Sequence, residues 1–277
     1  MPMIPITVCN HKGGTGKTTS SIMIAAALGM SGRRVLVVDL DPQGFLTRMM
    51  GVPEPDPKAS SCALFDESQG FDAACVVNPG AFGLIPASTR LSTDMRRLTK
   101  SIDVLWAREF QQAHFQEYDY VLYDSAAALT VFTLNALTAA EHVLIPVLPE
   151  YQPVVGGEQT YQTAITVRKK LNPSMHDPMF LLTMVDGRKR NHMAYENYLR
   201  GRYGDDIMRS RIRTSASIST TRHDGQTAFD FDPRGRGSQD YAAAVDELVA
   251  RTERVPKADE ASESETKADT PEALEVS

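Results

Sequence analysis

The sequence predicts an α/β protein: a mostly parallel sheet with helices on both faces. Three observations carry that prediction. Short apolar runs recur along the chain, several closing on an acidic or glycine-rich turn. Stretches of helical length, about 10–15 residues, separate them, which is the alternation that builds parallel sheets. The runs are apolar throughout, as expected of strands covered on both sides.

Taken in order, Ile4 to Cys9 is the first strand, and it ends in a glycine loop. The Ala-rich stretch from Thr18 to Leu28 is the first helix. "RRVLVVDLD" is a buried strand with acids at its carboxyl end, and "PEPDPKASS" is a proline-rich loop. "FGLIPAS" is a further strand, followed by a helix over 103–116. "YDYVLYD" is a strand closed by Asp124. A helix over 132–140, the strand "HVLIPVL", a long helix over 154–171 and the strand "MFLLTMV" complete the pattern. No internal repeat is visible. Residues 1–251 read as one domain.

Composition narrows the class. A hydrophobic content of 42% supports a sizeable core. Cys9, Cys62 and Cys75 have no metal-ligand spacing, which fits a reducing cytoplasm. The start shows no basic segment or cleavage site, and the longest clean apolar run, Ile22 to Met30, is about half of what spans a bilayer. The sequence therefore reads as soluble and cytoplasmic. Charge is uneven within the total of −6. Residues 252–277 carry eight acids against three bases with little to bury, and read as a disordered acidic tail. Arg188 to Arg213 carries eight Lys/Arg against three acids. A solvated helix face is the ordinary reading of such an excess.

The chemistry is concentrated in "NHKGGTGKTTS" at residues 10–20. The phosphate-loop pattern is G-x-x-x-x-G-K-[ST]. Gly16, Lys17 and Thr18 fill its end, but His11 stands at the first glycine and Lys12 follows it. Glycines let backbone N–H groups converge on phosphate oxygens, and the helix that follows adds its positive end. Residues Lys12, Gly13, Gly14, Thr15, Gly16, Lys17, Thr18 and Thr19 thus form a candidate nucleotide cradle. Within it Lys17 reaches the β/γ-phosphates and the Thr18 hydroxyl binds Mg²⁺. Asp39 and Asp41 close the second strand and Asp124 closes "YDYVLYD". Ligands of open α/β sheets sit beyond the carboxyl ends of the strands. Acids there hold Mg²⁺, directly or through water, and orient an attacking water.

The succession "KGGTGKTT", "VLVVDLDPQG", "YDYVLYD", "TLNAL", "VLIPVLPEY", "LLTMVDGR" and "DPRGRGSQDY" resembles the ParA/Soj family of partition ATPases. These belong to the deviant Walker A class of P-loop NTPases, to which MinD is related. The resemblance covers residues 4–250. It implies ATP and Mg²⁺ as cofactors and a homodimer that sandwiches ATP, with Lys12 reaching the phosphates bound by the other subunit. It implies that Asp41 positions the hydrolytic water, that Asp39 and Asp124 support Mg²⁺ beside Thr18, and that Glu150 and Thr183 contact ribose or base. It also implies a nucleoid-associated protein: non-specific DNA binding through Arg188, Arg209, Arg211, Arg213 and Arg222, and a ParB-like or other cargo adaptor as partner.

Two departures stand out. After the third acid the family carries two prolines where this chain has Ala126 and Ala127 in "DSAAALT". Proline stiffens a switch segment, so coupling through it is expected to be looser. In "IRTSASISTTR" the family's proline falls on Arg213, and an arginine of its DNA contact falls on Ser217. Rival classes fit less well. A MinD-like membrane ATPase needs a basic amphipathic C-terminal helix, and this C-terminus is acidic. An iron–sulfur member needs paired cluster cysteines. Cargo identity, whether plasmid, chromosome or protein complex, is not written in these residues.

Overall fold

The computed structural model describes residues 2–66, 75–219 and 225–253. Seven strands run parallel in the order β3-β2-β4-β1-β5-β6-β7. They are β1 (Ile4–Val8), β2 (Val35–Asp39), β3 (Gly83–Ile85), β4 (Tyr120–Asp124), β5 (His142–Val147), β6 (Met179–Val185) and β7 (Ile207–Arg213). The helices are α1 (Lys17–Met30), α2 (Phe45–Met49), α3 (Leu91–Asp94), α4 (Trp106–His114) and α5 (Val131–Ala139), then α6 (Tyr151–Lys170), α7 (Arg190–Tyr203), α8 (Ala216–Ser219), α9 (Ala228–Phe231) and α10 (Arg236–Thr252).

The expected parallel sheet with two helical layers is what the chain forms. Alternate residues of each strand face opposite sides, and the core divides accordingly. On one side Ile4, Ile6, Val8, Val35, Val37 and Leu122 pack under α1, α2, α9 and α10, with Ile24, Leu46, Tyr241 and Leu248 filling the layer. On the other, α4 and α5 cover β2 to β4 through Leu36, Val38, Tyr123 and Phe132. There α6 and α7 cover β5 to β7 through Val143, Ile145, Phe180 and Leu199. The central strands β1, β2, β4 and β5 are buried at every position, which is why they read as unbroken apolar runs.

One strand was not expected. β7, "IMRSRIR", lies at the sheet edge beside β6, and buries Ile207, Met208 and Ile212 while Arg209, Arg211 and Arg213 stay exposed. The basic segment therefore combines a helix, α7, with an edge strand, and is not a helix face alone. At the other end of the chain Thr252 closes α10 and shares a hydrogen bond with the Tyr120 hydroxyl at 3.1 Å. Glu253 accepts from Tyr120 at 2.9 Å and from Arg33 Nε at 3.0 Å. These two residues belong to the folded body. Residues 254–277, which hold the rest of the expected tail, and Arg222 lie outside the described residues.

Candidate nucleotide site

The site is built where β1 turns into α1. Gly14 and Gly16 take left-handed φ of 74° and 85°, open to glycine without strain, and Gly16 caps α1. The loop is tied down from behind. Asn10 accepts from the Lys12 N–H at 2.9 Å and donates to the Pro146 carbonyl at 2.8 Å. The His11 N–H donates to Thr160 at 2.9 Å, and the Thr183 hydroxyl donates to the Thr15 carbonyl at 2.8 Å. Helix α6 comes close enough to support the loop because Gly156 and Gly157 have no side chain. A Cβ on Gly156 would stand 2.8 Å from Lys12 Cβ and 3.0 Å from Asn10 Oδ1.

The two lysines differ in kind. Lys17 is only 8% exposed, and its Nζ donates to the Lys12 carbonyl at 3.3 Å. Burial lowers its pKa, opposed by the nearby Asp124, Cys9 and Asp41. Lys12 is exposed, and among the described residues its ammonium has no hydrogen bond or ion pair.

Asp39 and Asp124 pair in register at the ends of β2 and β4, and Val8 of β1 lies next to Asp124. Asp124 accepts from the Thr18 hydroxyl at 2.9 Å and from Ser21 at 2.8 Å. Asp39 accepts from the Thr47 hydroxyl at 2.7 Å, the Thr47 N–H at 3.0 Å and the Asp41 N–H at 3.1 Å. Burial pushes the Asp124 carboxyl up to about 7, with the Asp39 charge adding to it. Burial likewise pushes Asp39 up to about 6, against the pull of its Thr47 and Asp41 hydrogen bonds. Asp41 is half-buried at the rim and caps the Gln43 N–H at 2.9 Å. Two buried carboxyls beside a hydroxyl and a glycine turn at a helix start suit a magnesium–phosphate group, which would offset the charge that burial penalises.

The structure thus brings Lys12 to Thr19, Asp39, Asp41 and Asp124 to one end of the sheet. Thr183 lies directly beneath the loop, its hydroxyl spent on Thr15. Glu150 stands apart at the start of α6, paired with Lys189 at 3.2 Å and His192 at 3.1 Å. Ala127 sits beside the loop, 4.0 Å from where a Cβ on Gly13 would be. Ser21, Thr47, Thr160 and Gly156 were not expected. Of these only Gly156 left a sequence signal, as half of a glycine pair inside a helix.

The basic residues are less free than their count suggests. Arg188, with a side chain 91% exposed, pairs with Asp186 at 2.8 Å. Arg202 pairs with Glu158, Arg211 and Arg200 share Glu196, and Arg213 grips buried Asp240 through its N–H and guanidinium, at 2.6 Å for the ion pair. Lys189 is held by Glu150. Four of the eight bases are thus paired with acids outside the segment. Arg209 spends its backbone N–H on Glu247, while its exposed guanidinium makes no ion pair among the described residues.

The chain is similar to known proteins over most of its length. The model of the AAA domain family matches residues 3–176. The chain is 34% identical to the chromosome-partitioning ATPase Soj of Thermus thermophilus, covering 90% of this chain and 96% of that one. It is 32% identical to the sporulation initiation inhibitor protein Soj of Bacillus subtilis, covering 88% and 98%. Among solved structures, cobyrinic acid a,c-diamide synthase of Mycobacterium smegmatis with bound ATP analog and magnesium superposes with a TM-score of 0.75 at 28% identity, covering 90% of this chain and 95% of that one. With the phosphate loop, its second lysine and the strand-end acids in place, the chain belongs to the Soj/ParA family of partition ATPases.

Proposed function

We propose that this ATPase works as a dimerising switch in which each subunit completes the other's site. The observation that carries the reading is the contrast between Lys17, buried and turned into its own loop, and Lys12, exposed and unpaired at the rim. Magnesium-bound ATP supplies the phosphoric anhydride that is hydrolysed. The chain's own residues bind and orient it. N–H groups of 13–19 and the Lys17 ammonium would hold the phosphates, while Thr18, Asp124 and Asp39 would hold the metal. Asp41 accepts a hydrogen bond from the attacking water and aims it. Lys12 of a second copy neutralises charge that develops on the phosphoryl oxygens, so turnover requires the dimer. Glu150, at the start of α6, serves the nucleoside end, and Thr183 braces the phosphate loop through the Thr15 carbonyl.

In this reading the ATP dimer spreads over DNA without sequence preference, which makes it nucleoid-associated. A ParB-like or other adaptor stimulates hydrolysis and so positions a plasmid, chromosome or protein cargo. Light scattering with ATP tests the core of it. Asp41→Ala should dimerise without turnover. Lys12→Ala should bind ATP, yet form no stable dimer and lose turnover by about 10²–10³-fold. Normal hydrolysis by Lys12→Ala would refute the shared site.

A further inference from the structure

At the end of the sheet opposite the phosphate loop, three ligand-type side chains meet at the start of β5. His142 is 4% exposed, and its Nε2 is buried with no hydrogen-bond partner. That nitrogen lies 3.8 Å from Glu141 Oε1, and the His176 Nε2 lies 3.6 Å from the same oxygen. The two imidazoles stack with centroids 4.6 Å apart and planes 6° from parallel. One ligand atom from each of Glu141, His142 and His176 falls within 4.8 Å of the other two.

We propose that Glu141, His142 and His176 form a site for a divalent transition-metal ion of the zinc class, separate from the magnesium–nucleotide site and independent of it. A buried polar nitrogen without a partner is costly, and a metal ion is a partner that fits its lone pair. Two imidazoles and one carboxylate suit Zn²⁺, Cu²⁺ or Ni²⁺, whereas Mg²⁺ and Ca²⁺ take oxygen ligands. A tetrahedral ion with bonds of about 2.0–2.2 Å spaces its ligands roughly 3.4 Å apart. The two Glu141–His distances need only a small closure to reach that spacing. Glu141 and His176 are the outer members, so their side chains can rotate to make it.

The loop that carries His176 is fixed in place. Its N–H donates to the Glu141 carbonyl at 2.9 Å. Asn172 donates to the Ala140 carbonyl at 2.6 Å, Met175 is buried, and Asp177 pairs with Arg168 at 2.6 Å. Bound metal would staple the start of β5 to the loop between α6 and β6, leaving its fourth position for water.

The test uses the full chain without an affinity tag, stripped with chelator and titrated with ZnCl₂ by calorimetry in excess MgCl₂, which fills the oxygen site. One equivalent of zinc should bind. Glu141→Gln and His176→Ala, both near the surface, should stay folded by circular dichroism and lose affinity by about tenfold or more. Co²⁺ should give visible absorption bands with the wild type that His176→Ala lacks. No zinc uptake by the wild type, or uptake by either variant as tight as the wild type's, would overturn the site.

Discussion

Asp39 and Asp124 stand side by side in register at the ends of adjacent strands, both fully buried. Two carboxyls in one dry pocket cannot both ionise cheaply. Their folded values of about 6 and about 7 lie above the ordinary carboxylate value of 3.8. A raised carboxyl stabilises the fold fully below about pH 4, and that contribution is lost as pH rises through the folded values. Without magnesium, the wild type should therefore lose thermal stability from about pH 4 to 7 relative to Asp124→Asn. Each kcal/mol of relieved charge burial should appear as about 2–4 °C in Tm. A gap between the two proteins that stays constant with pH would contradict the assignment. Magnesium affinity should rise over the same window, since binding displaces the protons.

Lys17 is the cradle's own-chain cation. Lys17→Ala should weaken ATP binding about 10- to 100-fold, the worth of a charge-assisted contact of about 1.5–3 kcal/mol. Calorimetry with non-hydrolysable ATP reads this directly, and unchanged affinity would remove Lys17 from the phosphate site.

The glycines of the helices should respond in opposite directions. Gly156→Ala drives a methyl group against Lys12 and Asn10. It should cost about 1–3 kcal/mol from overpacking and weaken ATP binding with it. Gly201→Ala, in α7 with nothing within 4 Å, should stabilise by about 0.5–1 kcal/mol. Urea titrations of the two variants check the contrast, which fails if both move the same way.

On DNA, Arg209 and Arg213 should separate. Each phosphate neutralised contributes about 0.9 to the slope of log affinity on log salt. With two copies per dimer, Arg209→Ala should reduce that slope by up to about 2, for every sequence alike. Arg213→Ala should act on stability instead, costing about 1–3 kcal/mol because buried Asp240 loses its guanidinium partner. Anisotropy titrations across salt, using Asp41→Ala to hold the dimer, distinguish the two. Equal slopes for wild type and Arg209→Ala would remove β7 from the interface.

The sequence displayed most of the sheet because six strands are wrapped on both faces, so burial alone writes them as apolar runs. β7 is not legible in the sequence because an edge strand needs only one buried side, and its arginines mask Ile207, Met208 and Ile212. The phosphate loop was legible because its residues are contiguous, and Asp39 and Asp124 because strand ends are where such acids belong. Ser21 and Thr47 were invisible as functional residues. Each matters only through the carboxylate it reaches, and that pairing exists only after folding. Thr160 is hidden for the same reason, since it meets the His11 N–H from 149 residues along the chain. The basic segment shows the opposite error: charge counted along the chain ignored Asp186, Glu150, Glu158 and Asp240 arriving from elsewhere.

The strand order also sets a timetable for synthesis. β1, the first strand made, lies in the middle of the sheet, and its two neighbours are residues 120–124 and 142–147. A nascent chain carries the phosphate loop long before it carries anything to hold that loop in shape. Such distant pairings close slowly and leave an apolar strand waiting for partners. Until β5 has joined, the growing polypeptide has neither Pro146 nor Thr160 to brace the loop. The loop therefore gains two of the hydrogen bonds that fix it only after more than half of the chain has been made.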